Sequence, residues 1–395
     1  MQVVGTLSNS DYRRANDYTF ADGSSESYVM NADSRRRSLI SEISYIHNFS
    51  DNTQLSAGYQ NTVSRSTNEY LNSDYKPRLT ENNNYVYARL GQSIGNVYLS
   101  LSTGAKMFWT KNDLNSRHFI RNLSSAQISW NINNKWSLQG AFRYTPSIPS
   151  LTALTDYQQQ TTPYLASNGN PDLDVAENLN YSISLRYSHK LFNATFYSAY
   201  YSTNKCVVND VAYAGNKLFL QQYVNTDYRR VFENSLSLQS SNFHGFGANL
   251  YLCLTHYDTA GDEWKHSLTS FDASLSVWWN KGPVTVAYWR KLPGKYLFGQ
   301  TIGKDENGDA LQFAYKPDSH WTLGVSWMYM FDKKGTRYPS QSLSAVNPFT
   351  AERYIKNNGN MIVLTVSYSA DFGSIFRTAR RSLNNSDQGS SLLKL

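Results

Sequence analysis

The stretch SNGNPDLDVAENLNYSISLRY, residues 167–187, joins a turn-rich polar loop to a strand with two chemically different faces. Leu179, Tyr181, Ile183, Leu185 and Tyr187 fall on one side and Asn180, Ser182, Ser184 and Arg186 on the other. That is the period of an extended chain, in which neighbouring side chains point in opposite directions. Just upstream, FRYTPSIPSLTAL (142–154) ends a similar strand with Pro146 and Pro149, and just downstream LFNATFYSAYYS (191–202) begins a third. One face of each strand requires an apolar surround and the other requires water.

The same alternation continues in both directions. Ile43, Tyr45 and Phe49 share a face, as do Leu55, Ala57, Tyr59 and Val63, then Val86, Ala88, Leu90 and Ile94. Further along, Phe246, Ala248, Leu250, Leu252 and Leu254 alternate, and the last strand carries Ile362, Leu364, Val366, Tyr368, Ala370 and Phe372. Tight turns are expected at 50–52, at Gly95 and Asn96, and at 131–135, 189–193, 242–245, 280–283 and 317–319. Long polar loops are expected at 8–34, 65–81, 110–117, 145–176, 203–220, 258–266, 291–308 and 332–358. The result is an all-β, transmembrane antiparallel barrel of about 16 strands, an even number as bacterial single-chain barrels require.

Composition agrees. The 395 residues show no linker before the last twenty or so, and aromatic content reaches 14%, with 30 Tyr and 9 Trp. Mean hydropathy is nevertheless −0.54, and no apolar run approaches the roughly 20 residues of a spanning helix. A membrane barrel combines these properties because half of each strand is polar. Trp109, Trp130, Trp136, Trp279, Trp289 and Trp321 lie near strand ends, where interfacial girdles belong.

The net charge of +7 is spread along the chain rather than gathered on one stripe, so nucleic acid is not a partner. The tightest basic run near the start, SRRR (34–37), reads either as a solvated strand end or as a contact for lipopolysaccharide phosphates. Cys206 and Cys253 read as free thiols. His256 and His266 sit at the two ends of one expected loop without metal-ligand spacing, and DENGDA (305–310) reads as a hairpin turn rather than a calcium loop, for it lacks the distal Glu. There is no G-x-S-x-G elbow and no H-E-x-x-H, so neither an enzyme, a metal site nor a cofactor is expected.

Arg143, Pro146 and Pro149, followed by Gly169, Asn170, Pro171 and Leu173, resemble the mid-barrel signature of TonB-dependent outer-membrane receptors, in which an R-x-P-type strand end is followed by a G-N-P-x-L turn. The segment 221–241 is similar to that family's Y-x-N and G-x-E strand, with Phe232 in place of the Gly and Glu233 retained. Phe372 and Gly373, then Asn384, Asn385, Ser386 and Asp387, resemble the tails of Bacteroidetes-type members. The resemblance implies a barrel of about 22 strands filled by a plug. It also implies import of nutrients too large for porins, such as siderophores, cobalamin, glycans or peptides, driven by a TonB-type energising protein acting through the N-terminal plug.

On this reading residues 1–372 are the C-terminal part of the barrel and 373–395 a periplasmic tail. The start of the sequence lacks an export signal, so the chain is expected to be a portion of a longer precursor. Ligand is expected at outer loops 145–176 and 332–358, through Tyr157, Tyr164, Asn168, Asn170, Tyr338 and Phe349. Outer-membrane lipid, lipopolysaccharide and a surface lipoprotein complete the expected partners. The alternatives are a self-contained 16-stranded diffusion porin and a secreted all-β binding protein or adhesin.

Overall fold

The computed structural model describes residues 2–71, 76–113, 116–331 and 335–370. Asp371, Phe372 and the tail 373–395 lie outside the described residues. The chain begins as a meander of β1 (Gln2–Thr19), β2 (Ser25–Ser50), β3 (Thr53–Tyr70), β4 (Arg78–Ile94), β5 (Val97–Asn112), β6 (Ser116–Asn131) and β7 (Trp136–Ser147). A short helix, α1 (Leu151–Leu154), and a hairpin of β8 (Gln159–Thr162) and β9 (Leu165–Asn168) follow. β10 (Ala176–Ser188) and β11 (Phe192–Asn204) return to the meander, and β12 (Val207–Gly215) and β13 (Leu218–Asn225) leave it again.

The main sheet resumes with β14 (Tyr228–Ser240), β15 (Phe246–Gly261), β16 (Trp264–Lys281) and β17 (Val284–Leu292). After β18 (Lys295–Phe298) and β19 (Thr301–Lys304) it takes in β20 (Gly308–Tyr315) and β21 (Trp321–Met328). After β22 (Thr336–Ser342) and β23 (Phe349–Ile355) it ends with β24 (Met361–Tyr368). Sixteen of these strands form one antiparallel sheet, each paired with the next in chain order once the excursions are set aside. The excursions pair with one another, giving two four-stranded sheets, β12-β13-β9-β8 and β18-β19-β22-β23.

Register makes the two faces continuous. Leu55, Leu90, Leu101, Ala126, Phe142, Tyr181, Tyr200 and Phe232 stand opposite one another in turn across eight strands, from β3 to β14. Ala248, Val277, Tyr288, Leu311, Trp327 and Ile362 form a second such row from β15 to β24. These side chains point away from the protein: Leu101 is 55% exposed and Ile362 69%. The opposite face is polar and closed in, with Ser64, Ser66, Asn68 and Glu81 all buried. On it the Arg36 guanidinium donates to Glu81 Oε2 at 3.0 Å and to Ser66, and Ser64 donates to the same carboxylate. An apolar outside over a polar inside inverts the soluble arrangement and is stable where the surround is hydrocarbon.

Connections alternate as expected, but several are much shorter than the polar composition implies. Residues 8–34 are largely strand, because β1 and β2 pair without interruption up to Thr19 and Ser25. Residues 65–81 shrink to the stretch between Tyr70 and Arg78, and 258–266 to a two-residue hairpin between Gly261 and Trp264. Hydrophilic strands read as loops because both faces are polar beyond the apolar band. DENGDA is not a hairpin turn: Asp305–Asn307 carry the chain from the second outer sheet back into β20.

At the tight-turn ends the register lines up aromatic pairs: Trp136 with Tyr187, Trp279 with Phe246, and Trp321 with Tyr368. Trp289 does not join them. It stands opposite Ser276 and Ala310 on the inward face, and its ring lies 2.8 Å from where a Cβ on Gly308 would sit. His256 faces outward and His266 inward, so they cannot share a ligand. Leu250, flanked by Leu238 and Leu275 in register, supplies the first prediction. Leu250→Arg should destabilise a bilayer-refolded barrel by about 2–4 kcal/mol, and the inward Asn249→Arg by far less. Equal costs in a denaturant titration in lipid would contradict the assignment of faces.

Candidate functional site

The site is assembled from connections at the end opposite the tight turns. Ser150 caps α1 by accepting the Ala153 N–H at 3.2 Å, and the Thr155 hydroxyl closes the turn on Leu151 O at 2.6 Å. The following G-N-P-x-L segment folds back on it: Gly169 N–H donates to Thr155 O and Asn170 N–H to Ala153 O. A Cβ at Gly169 would meet Thr155 O at 2.2 Å, so this close approach requires glycine. Leu173 is thereby buried against Ala153 and Leu154, with Val207 and Tyr223 from the next connection packed on the cluster.

Polar contacts tie the two connections together. Asn170 Nδ2 donates to Tyr223 O at 3.1 Å, and Asp174 N–H to Asn225 Oδ1 at 2.7 Å. Asn225 Nδ2 donates in turn to Lys205 O at 2.8 Å, and Lys205 Nζ to Asp174 Oδ2 at 2.6 Å. β13 runs parallel to β9, which joins the two connections in one sheet. The Lys205 hydrogen bond holds the Asp174 carboxyl below the usual carboxylate range. The second outer sheet is joined to the first through Gln300, whose amide donates to Asp210 Oδ1 at 2.6 Å, and to the barrel through Arg229 of β14, whose guanidinium lies 5.3 Å from the Phe298 ring centroid.

Between the first outer sheet and the inward face of the β1–β3 extension lies a cavity of about 220 Å³. Tyr12, Arg14, Tyr28 and Tyr70 line one wall and Tyr157, Gln160, Asn168, Gln221 and Tyr223 the other. The Tyr70 and Tyr157 rings meet across it at a tilt of 34°, with centroids 4.7 Å apart. Asn168 donates to Asp156 Oδ1 at 3.1 Å, while its own Oδ1 is buried with no hydrogen-bond partner among the described residues. An orphaned buried acceptor costs about 1–3 kcal/mol, which a donor on a bound molecule would offset. Burial pushes the Tyr223 phenol above its usual range, so it remains a neutral donor at physiological pH. Tyrosine rings with amide and guanidinium groups suit ring stacking and multiple hydrogen bonds, and the described lining has no carboxylate or imidazole.

The six residues singled out in the sequence divide into three groups. Tyr157 and Asn168 meet in the cavity. Tyr164 is 53% exposed at the β8–β9 turn, and Asn170 is engaged in holding the turn together. Tyr338 and Phe349 belong to the second outer sheet, where a separate cavity of about 470 Å³ is lined by their strand neighbours Arg337, Pro339, Thr350 and Glu352 instead. Tyr12, Arg14 and Tyr28 escape the sequence reading because 8–34 reads as loop, and Tyr70 because 65–81 does. The signal was present in the period-two placement of Tyr12, Arg14 and Asn16, and in the turn at Asp22 and Gly23, where φ is +84°.

Residues 2–380 match the outer membrane protein β-barrel family. The chain belongs to that family. It is an outer-membrane protein, and its apolar exterior is the lipid face. Among solved structures it is similar to the FrpB iron transporter from Neisseria meningitidis, at 13% identity and a TM-score of 0.60, over 92% of this chain and 63% of that one. The copper transporter OprC gives 11% and 0.64, over 93% and 62%. The ferric-catecholate import receptor Fiu from E. coli K12 gives 9% and 0.61, over 92% and 62%. These likenesses show a shared fold, and the chain spans less than two thirds of the length of each of these three proteins. No functionally curated protein matches the sequence.

The lock between the connections can be tested by itself. Asn225→Ala should speed protease nicking between 205 and 227 severalfold while leaving the strand signal and the heat-modifiable band unchanged. The Asp174 contribution is complete above the ordinary carboxylate pKa of about 3.9 and is lost only as pH falls through the lower folded value. The protection factor of the Asp174 amide, measured from pH 7 downward and referred to the intrinsic rate at each pH, should therefore stay flat until below about pH 4. A loss of protection between pH 7 and pH 5 would show that the ion pair is not formed.

Proposed function

We propose that this chain is the barrel portion of a TonB-dependent uptake receptor, taking in a nutrient too large for porins: a siderophore, cobalamin, a glycan or a peptide. The observation that carries this reading is the tyrosine-amide cavity, built by two interlocked connections against the extended β1–β3 wall. Folded outer sheets tied to each other at Gln300 and to the barrel at Arg229 suit capture of a ligand and not the free passage of a diffusion porin. Outer-membrane membership removes the secreted adhesin from consideration. The chain's similarity to iron, copper and ferric-catecholate transporters supports the same reading. In this proposal residues 1–372 surround a plug, an energising inner-membrane partner supplies the work of import, and a surface lipoprotein assists capture.

Tyr157, Asn168, Tyr12, Tyr70 and Gln221 would contact the ligand, with Arg14 as the one cation of the wall. The test substitutes Tyr157→Ala and Gln221→Ala in the chromosomal gene. Uptake is then measured for a ferric catecholate, cobalamin, a neutral oligosaccharide and an oligopeptide in turn. One class should enter in a manner dependent on the inner-membrane proton gradient, and each substitution should weaken its surface binding about tenfold, the equivalent of ~1.4 kcal/mol. Uptake of that class unchanged in both variants, or insensitive to dissipation of the gradient, would overturn the proposal.

A further inference from the structure

The outward face of β2–β5 changes chemistry in layers as the strands leave the lipid band. Leu39, Val63, Asn82 and Trp109 stand in one register row. The next outward-facing row is Arg37, Arg65, Thr80 and Lys111, and the one beyond it Arg35, Thr67 and Arg78. A further step brings Asp11, Asp33 and Glu69 opposite one another. The five cations are all exposed. Arg36, between Arg35 and Arg37, points the other way into its buried pair with Glu81, so strand alternation splits the SRRR run into one structural and two surface guanidiniums.

The arrangement is unfavourable by itself. Arg37 and Arg65 are directly opposed across β2 and β3, and like charges in that position destabilise a sheet. Among the described residues none of Arg35, Arg37, Arg65 and Lys111 has a carboxylate within ion-pair distance. Adjacent strands lie about 4.8 Å apart, a spacing at which two guanidinium forks can converge on one phosphate. The acidic row beyond repels a phosphate placed any further out, and the apolar row below excludes one placed deeper. The band thus has a fixed depth, at the boundary between hydrocarbon and headgroups on the side of the long connections, which faces outward in bacterial barrels.

We propose that Arg37, Arg65 and Lys111, flanked by Arg35 and Arg78, bind the phosphates of a phosphorylated glycolipid of the outer leaflet, with its acyl chains on Leu39, Val63 and Trp109. The apolar row and the cation rows are the two halves of one amphipathic ligand, which a free phosphate would not use.

The protein is purified from outer membranes in mild detergent, and retained lipid A phosphate is measured per barrel. Arg37→Gln with Arg65→Gln should lower it at least threefold, and Arg353→Gln on exposed β23 should not change it. Adding purified lipid A to delipidated protein should raise the melting temperature of the unsubstituted chain and not that of the double variant. Phosphatidylglycerol should give a smaller rise, and inorganic phosphate should not displace the glycolipid. Equal retention by a heat-modifiable double variant would overturn the proposal, as would equal stabilisation by phosphatidylglycerol or displacement by free phosphate. If the double variant does not insert, Arg65→Gln alone is judged by the same criteria.

Discussion

Every backbone N–H and C=O that enters hydrocarbon must find its partner on a neighbouring strand, because lipid offers neither donor nor acceptor. The rest of the molecule follows from that requirement. It selects one uninterrupted antiparallel ladder from β1 to β24. It also leaves the side chains to make the distinction between outside and inside, since the backbone is spent on the ladder. The eight-strand row from Leu55 to Phe232 is therefore a structural unit in its own right. A single register slip would send the whole row inward and bring Arg89, Arg143 and Arg186 into lipid.

Beyond the hydrocarbon the same requirement is met differently. The long connections leave the ladder and satisfy their backbones on each other, β9 against β13 and β19 against β22. Such pairings close only if both connections are in place, which explains why the residues most engaged in hydrogen bonds here, Asn170, Asp174 and Asn225, hold loops to loops. The cavity depends on this cooperation: one wall is the barrel's own extension and the other exists only when the two connections meet.

The barrel was legible in the sequence because lipid and lumen impose a period of two that survives in single residues such as Leu179 through Tyr187. The turn motif at Gly169 and Asn170 was legible for a local reason, the need for glycine over Thr155. What stayed hidden was whatever depends on meeting across the chain. Tyr157 and Asn168 could be named as candidates, but not their partners Tyr12 and Tyr70, which are distant in sequence and sit on strands polar on both faces. Tyr338 and Phe349 look equivalent to Tyr157 by composition alone. They differ because sheet pairing assigns them to the strand face that does not line the cavity of their sheet.

The β1–β2 extension brings these threads together. Its inward residues Tyr12, Arg14, Tyr28 and Met30 line the cavity, while Arg35 and Arg37 on the same hairpin face outward. Two chemically unrelated surfaces thus share one pair of strands, interleaved residue by residue. Pleating keeps them independent, for a side chain can change on one face without moving its neighbours on the other. The ladder couples them, because both surfaces exist only while β1 and β2 remain paired from Gln2 to Thr19 and from Ser25 to Glu42. A hairpin polar on both faces has no apolar burial to hold it upright. What holds this one is the buried Arg36, Ser64, Ser66 and Glu81 network at its base, joined by Ser34, whose hydroxyl donates to Asn68 at 2.8 Å. The middle arginine of the run is in this sense the support on which both the cavity wall and the outward cation band stand.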